Sequence, residues 1–195
     1  LFTVAASLDS MVVGEPQILS QVKQAYDHAR AADGAGPMTH AAFQAAIRVA
    51  KRVTTETAIH EKRVSIPSVA VSEVSRQLFE RFDDKNVLVI GAGDMGRETL
   101  VYLKDLGVGQ IHVVNRSTQR AESLAQEFVG IAHPWDELDD LLAAADMVVS
   151  TTGATEPIVT LERYRKIEHA RGGRQQLILD LAIPRDFHPD IERCN

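Results

Sequence analysis

Residues 86–117 determine the fold class of this chain. The apolar run Asn86-Val-Leu-Val-Ile90 leads into Gly91-Ala-Gly-Asp-Met-Gly96, and a second apolar run ends at Val113-Val-Asn-Arg-Ser117. Between the two runs, apolar residues recur at helical spacing in a segment closed by Gly107: Met95, Leu100, Leu103 and Leu106. This order predicts a strand, a glycine-rich turn, a helix and a second strand, which is the unit from which dinucleotide-binding sheets are built.

The three glycines of the turn each have a physical reason. Gly91 permits a tight turn off the strand, Gly93 lets the backbone approach a pyrophosphate, and Gly96 lets the helix lie close to the sheet. The unpaired amides and the positive dipole end of the helix would then face the phosphates. A dinucleotide site is therefore favoured over a plain structural turn. The predicted cofactor-binding residues of this segment are Gly91, Ala92, Gly93, Asp94, Met95 and Gly96.

The end of the second predicted strand indicates which dinucleotide would bind. Dinucleotides with a free ribose hydroxyl are usually held by an acidic residue about twenty positions beyond the glycines. This chain instead has Asn115 there, followed by Arg116 and Ser117. An amide, a guanidinium and a hydroxyl suit a 2′-phosphate, which a carboxylate would repel. The sequence therefore favours NADP over NAD, with Asn115 and Arg116 as binding residues; the alternative is that Arg116 is only a solvated loop cation.

Composition and charge narrow the class of protein. The chain has 195 residues, a formal net charge of −6 and a single cysteine, Cys194. No apolar run approaches the roughly 20 residues needed to cross a bilayer, and one cysteine excludes an internal disulfide, so we expect a soluble, cytoplasmic protein. The negative charge argues against nucleic-acid binding by bulk electrostatics. One basic cluster is an exception, for which a solvated helix face is the simpler interpretation: Arg48, Lys51, Arg52, Lys62 and Arg63.

Apolar patterning divides the chain into three segments. Residues 1–62 show helical spacing without strand-like alternation, residues 63–84 predict a connecting helix, and residues 85–195 alternate strands with helices. Strands are expected at 86–90, 111–115, 129–132, 146–151 and 176–181. Because parallel strands need long crossovers, this alternation predicts an α/β fold: a Rossmann-like parallel sheet with helices on both faces, preceded by an all-helical segment.

Helical spacing also predicts which residues of the helices are buried. The second helix has one apolar face formed by Ile18, Val22, Ala25 and Ala29, and the third has another formed by Phe43, Ile47, Ala50 and Val53. In the connecting segment, Ser65 can cap and Pro67 can start a helix that runs through Val71, Val74 and Leu78. These faces are expected to pack inward.

The loops after the strands contain the remaining candidate site residues, because ligands of such sheets bind beyond the carboxyl ends of the strands. Thr151, Thr152 and Gly153 follow the fourth strand, where they would either border a cofactor or only form a turn. Arg185 and Asp186 follow the fifth, where adjacent opposite charges are interpreted as a structural loop pair. The histidines show no metal-ligand spacing and Cys194 has no evident base, so we expect neither a metal site nor a reactive thiol.

Several short motifs occur in an order shared with a known enzyme family. The most specific are Gly-Glu-Pro-Gln-Ile at 14–18 and Lys-Arg-Val-Thr-Thr-Glu-Thr-Ala-Ile at 51–59. The others are found at 1–13, 64–71, 91–96, 115–116 and 180–186. Over essentially its whole length the chain thereby resembles glutamyl-tRNA reductase, the oxidoreductase that opens the five-carbon route to tetrapyrroles (porphyrins).

The resemblance implies a particular chemistry. A cysteine thiolate attacks the activated ester of glutamyl-tRNA, and NADPH reduces the resulting thioester to glutamate-1-semialdehyde. The family's cysteine and its assisting histidine correspond to positions before Leu1, so no catalytic residue is assigned here. We expect an internal fragment that binds NADPH but is inactive alone. The resemblance further implies a homodimer formed through a C-terminal domain beyond this chain, and a downstream aminomutase as a partner.

The resemblance also assigns a substrate side to the helical segment, as part of the catalytic, glutamyl-tRNA-binding domain. The residues that match the family's glutamyl pocket are Ser10, Glu15, Pro16, Gln17 and Gln21. Spacing alone would describe them as a helix cap and a solvated face. Two positions depart from the family pattern, which commonly has arginine at Thr3 and glycine at Ser7.

Two other functions are compatible with the patterns. A shikimate-dehydrogenase-like NADP oxidoreductase shares the Asn-Arg-Ser element and the sheet type, but its own substrate domain would place strands before residue 62, where none is expected. The other alternative is a non-catalytic NADP(H)-binding module.

Overall fold

The computed structural model describes residues 1–10, 12–60, 65–71 and 75–194, and these form two compact units, Leu1–Ile66 and Pro67–Asn195. In the described part of the connecting segment, helices α4 (Ile66–Val69) and α5 (Ser75–Leu78) occur on either side of residues 72–74. Val71 is fully buried and Leu78 is exposed, while Val74 and residues 72–73 lie outside the described residues. The predicted boundary at residue 62 also lies outside them.

The first unit is helical throughout its described part, in which no strand occurs. Its helices are α1 (Phe2–Ala5), α2 (Pro16–Ala31) and α3 (Pro37–Glu56), followed by a 3₁₀ turn over Ala58–His60. Both long helices begin with proline, whose fixed φ and missing N–H suit the first helical position. Proline therefore marks the start of both long helices.

The predicted helix faces are confirmed in part, since Val22, Ala50 and Val53 take part in the core of this unit. In α2 the buried residue is Tyr26, whereas Ala25 is exposed, and in α3 the buried residues are Ala46 and Ala50. The core joins Ala5, Ala6, Ala46 and Ala50, with Leu19, Val22 and Val53 packed against them. Residues three and four positions apart share a helix face, so both Ala25 and Tyr26 are compatible with a face that contains Val22. The structure buries Tyr26.

The second unit is a five-stranded sheet in which every strand pairs in parallel, in the order β3-β2-β1-β4-β5. The strands are β1 (Asn86–Ile90), β2 (Gln110–Val114), β3 (Ile131–His133), β4 (Met147–Ser150) and β5 (Leu177–Asp180). The crossover helices are α6 (Asp94–Leu106), α7 (Thr118–Phe128), α8 (Leu138–Ala144) and α9 (Leu161–Arg171). A final 3₁₀ turn covers Pro189–Arg193. The predicted Rossmann-like fold is confirmed.

Alternate residues of the central strand belong to two cores on opposite faces of the sheet. Val87 and Val89 pack with residues of α6 and α7. Leu88 and Ile90 pack with residues of α8 and α9. All four side chains are fully buried, because a parallel strand covered by helices on both faces meets no solvent. Both predicted helical layers are therefore present.

Arg171 is a buried cation at the end of α9, only 3% exposed. Its Nη1 donates to the carbonyls of Leu142, Ala143 and Ala145 at 3.1, 2.9 and 2.7 Å, and its Nη2 donates to the carbonyls of Arg174 and Gln175. These acceptors lie at the end of α8 and in the loop before β5. One guanidinium thus satisfies carbonyls from two separate loops.

Removing this guanidinium is expected to destabilise the fold. We expect Arg171→Met to lower the free energy of unfolding by about 3 kcal/mol, because buried carbonyls lose their donors. Arg171→Lys should lose less, since it keeps the charge but has fewer donors. Urea unfolding measures both. The matched control is Lys166→Met on the same helix, which removes an exposed ion pair with Glu162 and should change stability by less than about 0.5 kcal/mol. Equal effects of Arg171→Met and Lys166→Met would contradict this account.

Two histidines on neighbouring strands share a hydrogen bond. Nδ1 of His112 lies 2.9 Å from Nε2 of His133, whose Nδ1 lies 2.8 Å from Oε2 of Glu137. Burial, and secondly the neighbouring His133, lower the pKa of His112. The folded state therefore resists protonation that the unfolded chain accepts near its ordinary pKa of about 6.5.

The free energy of unfolding is therefore expected to fall as the pH falls through about 6.5, because the unfolded state then binds the additional proton. His112→Gln should reduce this loss. Urea unfolding at about pH 8 and about pH 5.5 measures the difference. His169→Gln, at an exposed position on α9, serves as the control and should keep the wild-type pH dependence. A wild-type pH dependence in His112→Gln would refute the assignment.

Candidate functional site

The loops after β1, β2, β3 and β4 enclose a cavity of about 300 Å³ at the carboxyl edge of the sheet. Its lining contains five of the residues predicted to bind a cofactor: Gly91, Ala92, Gly93, Asn115 and Arg116. The three others, Asp94, Met95 and Gly96, form the first turn of α6. The lining also includes Thr151, Thr152 and Gly153 after β4, so these residues border the cavity.

Three backbone segments meet at the glycine turn. Gly91 has a φ of +106°, and a Cβ placed on it would lie 2.8 Å from Oγ1 of Thr151. A Cβ on Gly96 would lie 2.5 Å from the carbonyl oxygen of Gly91. The hydroxyl of Thr151 donates to the carbonyl of Ile90 at 3.1 Å. The absence of side chains at Gly91 and Gly96 therefore lets β1, α6 and the end of β4 lie in direct contact.

Gly93 has the opposite surroundings. It is the N-cap residue of the 13-residue helix α6, and as a glycine it has no side chain with which to cap this terminus. Apart from its two chain neighbours, no described residue has an atom within 4 Å of the position of a Cβ on it. The first amides of a helix have no acceptor within the helix. Together with the helix dipole, they offer a site for an anion beside open space. The side chain of Asp94 is exposed, so this residue would contribute its amide.

The end of β2 provides polar groups at the other end of the cavity. Nδ2 of Asn115 donates to the carbonyl of Ser117 at 3.1 Å, which holds the start of α7. Arg116 and Arg120 line the cavity, are exposed, and form no ion pair with any residue that the structure describes. By contrast, Arg97 pairs with Glu127 and Arg163 with Asp139. The two arginines at the cavity are therefore available to an anion.

Sequence reasoning did not single out Arg120, Trp135 or Ala154, although all three line the cavity. Arg120 lies in the first turn of α7, four residues after Arg116, and a second arginine so close in sequence is a signal that could have been used. Trp135 follows β3, a strand that the sequence shows only weakly. Its ring centroid lies 5.7 Å from Cζ of Arg116.

The buried Asp186 corrects the prediction of a loop pair between Arg185 and Asp186. Asp186 is fully buried, whereas Arg185 is exposed, and no ion pair joins them within the described residues. The carboxylate instead accepts hydrogen bonds from the hydroxyl of Ser150 at 2.6 Å, from the amide of Thr152 at 3.0 Å and from the hydroxyl of Thr152. Asp186 thus fixes the loop after β4 that borders the cavity.

In the helical unit, the structure brings Ser10 and Glu15 together around Ser7. The hydroxyl of Ser7 donates to the carbonyl of Glu15 at 3.0 Å and lies 3.5 Å from Oγ of Ser10, which donates to the carbonyl of Val12 at 2.6 Å. Glu15 is 5% exposed and is the N-cap residue of α2. The φ of +57° at Ser7 explains why glycine would suit this position.

The other predicted substrate residues lie on α2. Pro16 and Gln17 belong to its first turn, and Gln21 lies one turn further along and is exposed.

Cys194 is half-buried, and its burial, followed by the neighbouring Glu168, raises the pKa of its thiol. None of the helices formed by the described residues combines the length and the apolarity needed to cross a membrane.

Two family models match different parts of the chain. Residues 1–57 match the model of the glutamyl-tRNAGlu reductase N-terminal domain. Residues 73–195 match the model of shikimate / quinate 5-dehydrogenase. The boundary between the matches coincides with the connecting segment between the helical and the sheet-bearing unit.

Relatives match both parts together. The glutamyl-tRNA reductase of Rhodopirellula baltica is 56% identical over 191 residues, which are 98% of this chain and 45% of that protein. That of Desulfitobacterium hafniense (strain DSM 10664 / DCB-2) is 44% identical over 98% of this chain and 43% of its own. The solved structure of glutamyl-tRNA reductase from Methanopyrus kandleri is 42% identical, has a TM-score of 0.61, and is matched over 98% of this chain and 48% of that one. The chain spans less than half the length of these relatives. It belongs to the glutamyl-tRNA reductase family, and its sheet-bearing unit belongs to the shikimate / quinate 5-dehydrogenase family.

Proposed function

We propose that this chain provides the NADPH-binding unit and part of the substrate-binding domain of a cytoplasmic glutamyl-tRNA reductase. The observation that carries the proposal is the cavity at the carboxyl edge of the sheet. A helix N-terminus that begins at Gly93 lies at one end of it, and two arginines that form no ion pair with the described residues lie at the other. When bound, NADPH supplies the hydride that converts an acyl thioester to an aldehyde.

The glycine turn fits a pyrophosphate. Gly91 and Gly96 allow close contact between β1 and α6, and the space at Gly93 leaves room for an oxyanion next to the amides of Asp94, Met95 and Gly96. Such amides stabilise phosphate through hydrogen bonds and the helix dipole. Because the N-cap residue Gly93 has no side chain, a ligand would not have to displace a capping group of that residue.

The end of β2 fits a 2′-phosphate. Arg116 and Arg120 can donate several charge-assisted hydrogen bonds to phosphate oxygens, and neither would first have to break an ion pair with a described residue. Asn115 cannot repel the phosphate as a carboxylate would. These residues support NADPH as the preferred cofactor over NADH.

The loop after β4 would form the wall of the cavity on the side of β1 opposite to β2. Dinucleotides bound to this type of sheet extend across the strand order reversal next to β1. The carboxylate of Asp186 holds Thr152 in this loop by accepting hydrogen bonds from the amide and the hydroxyl of Thr152. The loop is therefore fixed before a cofactor arrives, and it would orient the nicotinamide half and exclude water.

Residues of the helical unit would receive the glutamyl group of glutamyl-tRNA. Ser10, Glu15, Pro16, Gln17 and Gln21 form the polar set around the start of α2. Carboxylate and amide groups together can bind an ammonium and a carboxylate of a substrate. In the complete enzyme, a cysteine thioester on another segment would be reduced to glutamate-1-semialdehyde. A downstream aminomutase would accept this aldehyde. Dimerisation would use further segments.

A shikimate-dehydrogenase-like oxidoreductase is the second candidate, because residues 73–195 match that family model. The helical unit argues against it. Its described residues contain no strand, and residues 1–57 match the reductase N-terminal domain. The same cavity would bind NADP in either enzyme. The helical unit therefore supplies the argument for glutamyl-tRNA reductase over a shikimate-dehydrogenase-like enzyme.

Cofactor selectivity tests the site. Calorimetric titration is expected to show tighter binding of NADPH than of NADH. Arg116→Ala should weaken NADPH binding about 10-fold to 100-fold, since charge-assisted hydrogen bonds contribute about 1.5–3 kcal/mol, and should leave NADH binding nearly unchanged. Arg97→Ala is the matched control, because this arginine of α6 pairs with Glu127 and does not line the cavity. Equal affinity for both dinucleotides would overturn the NADPH assignment, and failure to bind either would overturn the dinucleotide site.

The 195-residue chain itself is expected to bind NADPH without reducing glutamyl-tRNA. Its only cysteine, Cys194, has a pKa raised by burial, and a protonated thiol is a poor nucleophile. The assay measures glutamate-1-semialdehyde formed from glutamyl-tRNA and NADPH, with Cys194→Ser as the control. Turnover by the wild type that Cys194→Ser abolishes would identify Cys194 as the nucleophile and contradict this prediction.

A further inference from the structure

Trp135 lies at the point where the cavity meets the body of the sheet-bearing unit. It begins the 3₁₀ turn Trp135–Glu137 that follows β3, and it is partly buried against the core that contains Leu138 and Leu142. Its ring also lines the cavity, 5.7 Å from Cζ of Arg116. One part of the ring is therefore held by the core while another part contacts a guanidinium.

The ring of Trp135 is the partner that the structure shows for the Arg116 guanidinium. Arg116 is exposed, has no ion pair with the described residues and follows the end of a strand. An arginine side chain loses considerable rotamer freedom when it binds an anion, and a contact that restricts it beforehand reduces that loss. A guanidinium over an indole ring is attracted by the ring quadrupole. The ring thus keeps the guanidinium at the cavity before a ligand binds.

We propose that Trp135 is a positioning residue for cofactor selection, which holds the Arg116 guanidinium where it meets the 2′-phosphate of NADPH. This inference rests on the proposed function and extends it to a residue that touches neither the phosphates nor the reacting atoms. Trp135 acts through Arg116, so its contribution is limited to ligands with a 2′-phosphate. A ring that stacked on adenine would instead contribute equally to NADPH and NADH.

The test compares the two dinucleotides in three variants. Trp135→Leu keeps an apolar group on the core and removes the aromatic ring, and it should weaken NADPH binding about 5-fold, as expected for loss of one exposed cation–π contact, without changing NADH binding. Trp135→Phe should restore most of the NADPH affinity. The double variant Trp135→Leu/Arg116→Ala should bind NADPH no more weakly than Arg116→Ala alone, because the ring acts only through that arginine.

The fluorescence of Trp135 gives a second measurement, since it is the only tryptophan of the chain. Adenosine 2′,5′-bisphosphate should change the emission with saturation in the wild type, because the guanidinium moves relative to the ring when it binds phosphate. Adenosine 5′-monophosphate should change it much less, and Arg116→Ala should abolish the difference between the two probes.

The outcomes separate this inference from the proposed function. If the wild type binds neither dinucleotide, the proposed site and this inference both fail. If it prefers NADPH but Trp135→Leu weakens both dinucleotides equally or neither, the dinucleotide site stands and the positioning role of Trp135 is refuted. Retained NADH affinity in Trp135→Leu shows that the variant is folded, so a selective loss of NADPH binding supports the proposal.

Discussion

The close approach of three backbone segments at Gly91 and Gly96 is the constraint on which the candidate site depends. A side chain at Gly96 would collide with the carbonyl of Gly91, and one at Gly91 would collide with Thr151. Because these positions lack side chains, α6 starts directly above the end of β1, and its amides face the cavity. The position of the candidate anion site is therefore set by backbone contact, and the proposed role of side chains elsewhere is to select the ligand.

The charge distribution of the chain shows how an acidic protein can present a site for a polyanion. The net charge is −6, yet the cavity contains Arg116 and Arg120 without a partnering carboxylate from the described residues. Other arginines of the same unit are neutralised by Glu127 and Asp139. Screening by salt shortens the range of all these charges to about 10 Å, so local arrangement matters more than the total.

The sheet could be predicted closely from the sequence, whereas contacts between distant segments could not. The runs at 86–90, 111–115 and 176–181 correspond to β1 (Asn86–Ile90), β2 (Gln110–Val114) and β5 (Leu177–Asp180), because buried parallel strands are continuous apolar runs bounded by polar loops. The hydrogen bonds of Asp186 to Ser150 and Thr152 join residues more than 30 positions apart, and no local sequence pattern predicts them. Trp135 was missed for the same reason, since its partner Arg116 belongs to another strand's loop. In the helical unit, the predicted stripe on α2 included Val22, which packs against the core, but it placed Ala25 inward where the structure buries Tyr26. Periodicity gives a direction, and packing selects between such neighbours.

The bonds of Asp186 also limit how these sequences can diverge. A buried carboxylate that loses the hydroxyls of Ser150 and Thr152 becomes an uncompensated charge, and the hydroxyls that lose the carboxylate become unpaired donors. Substitution at any one of the three positions is therefore expected to destabilise the loop after β4 unless the others change with it. Through these bonds, the loop after β5 and the loop after β4 form one hydrogen-bonded element, even though a helix and a strand separate them in the chain.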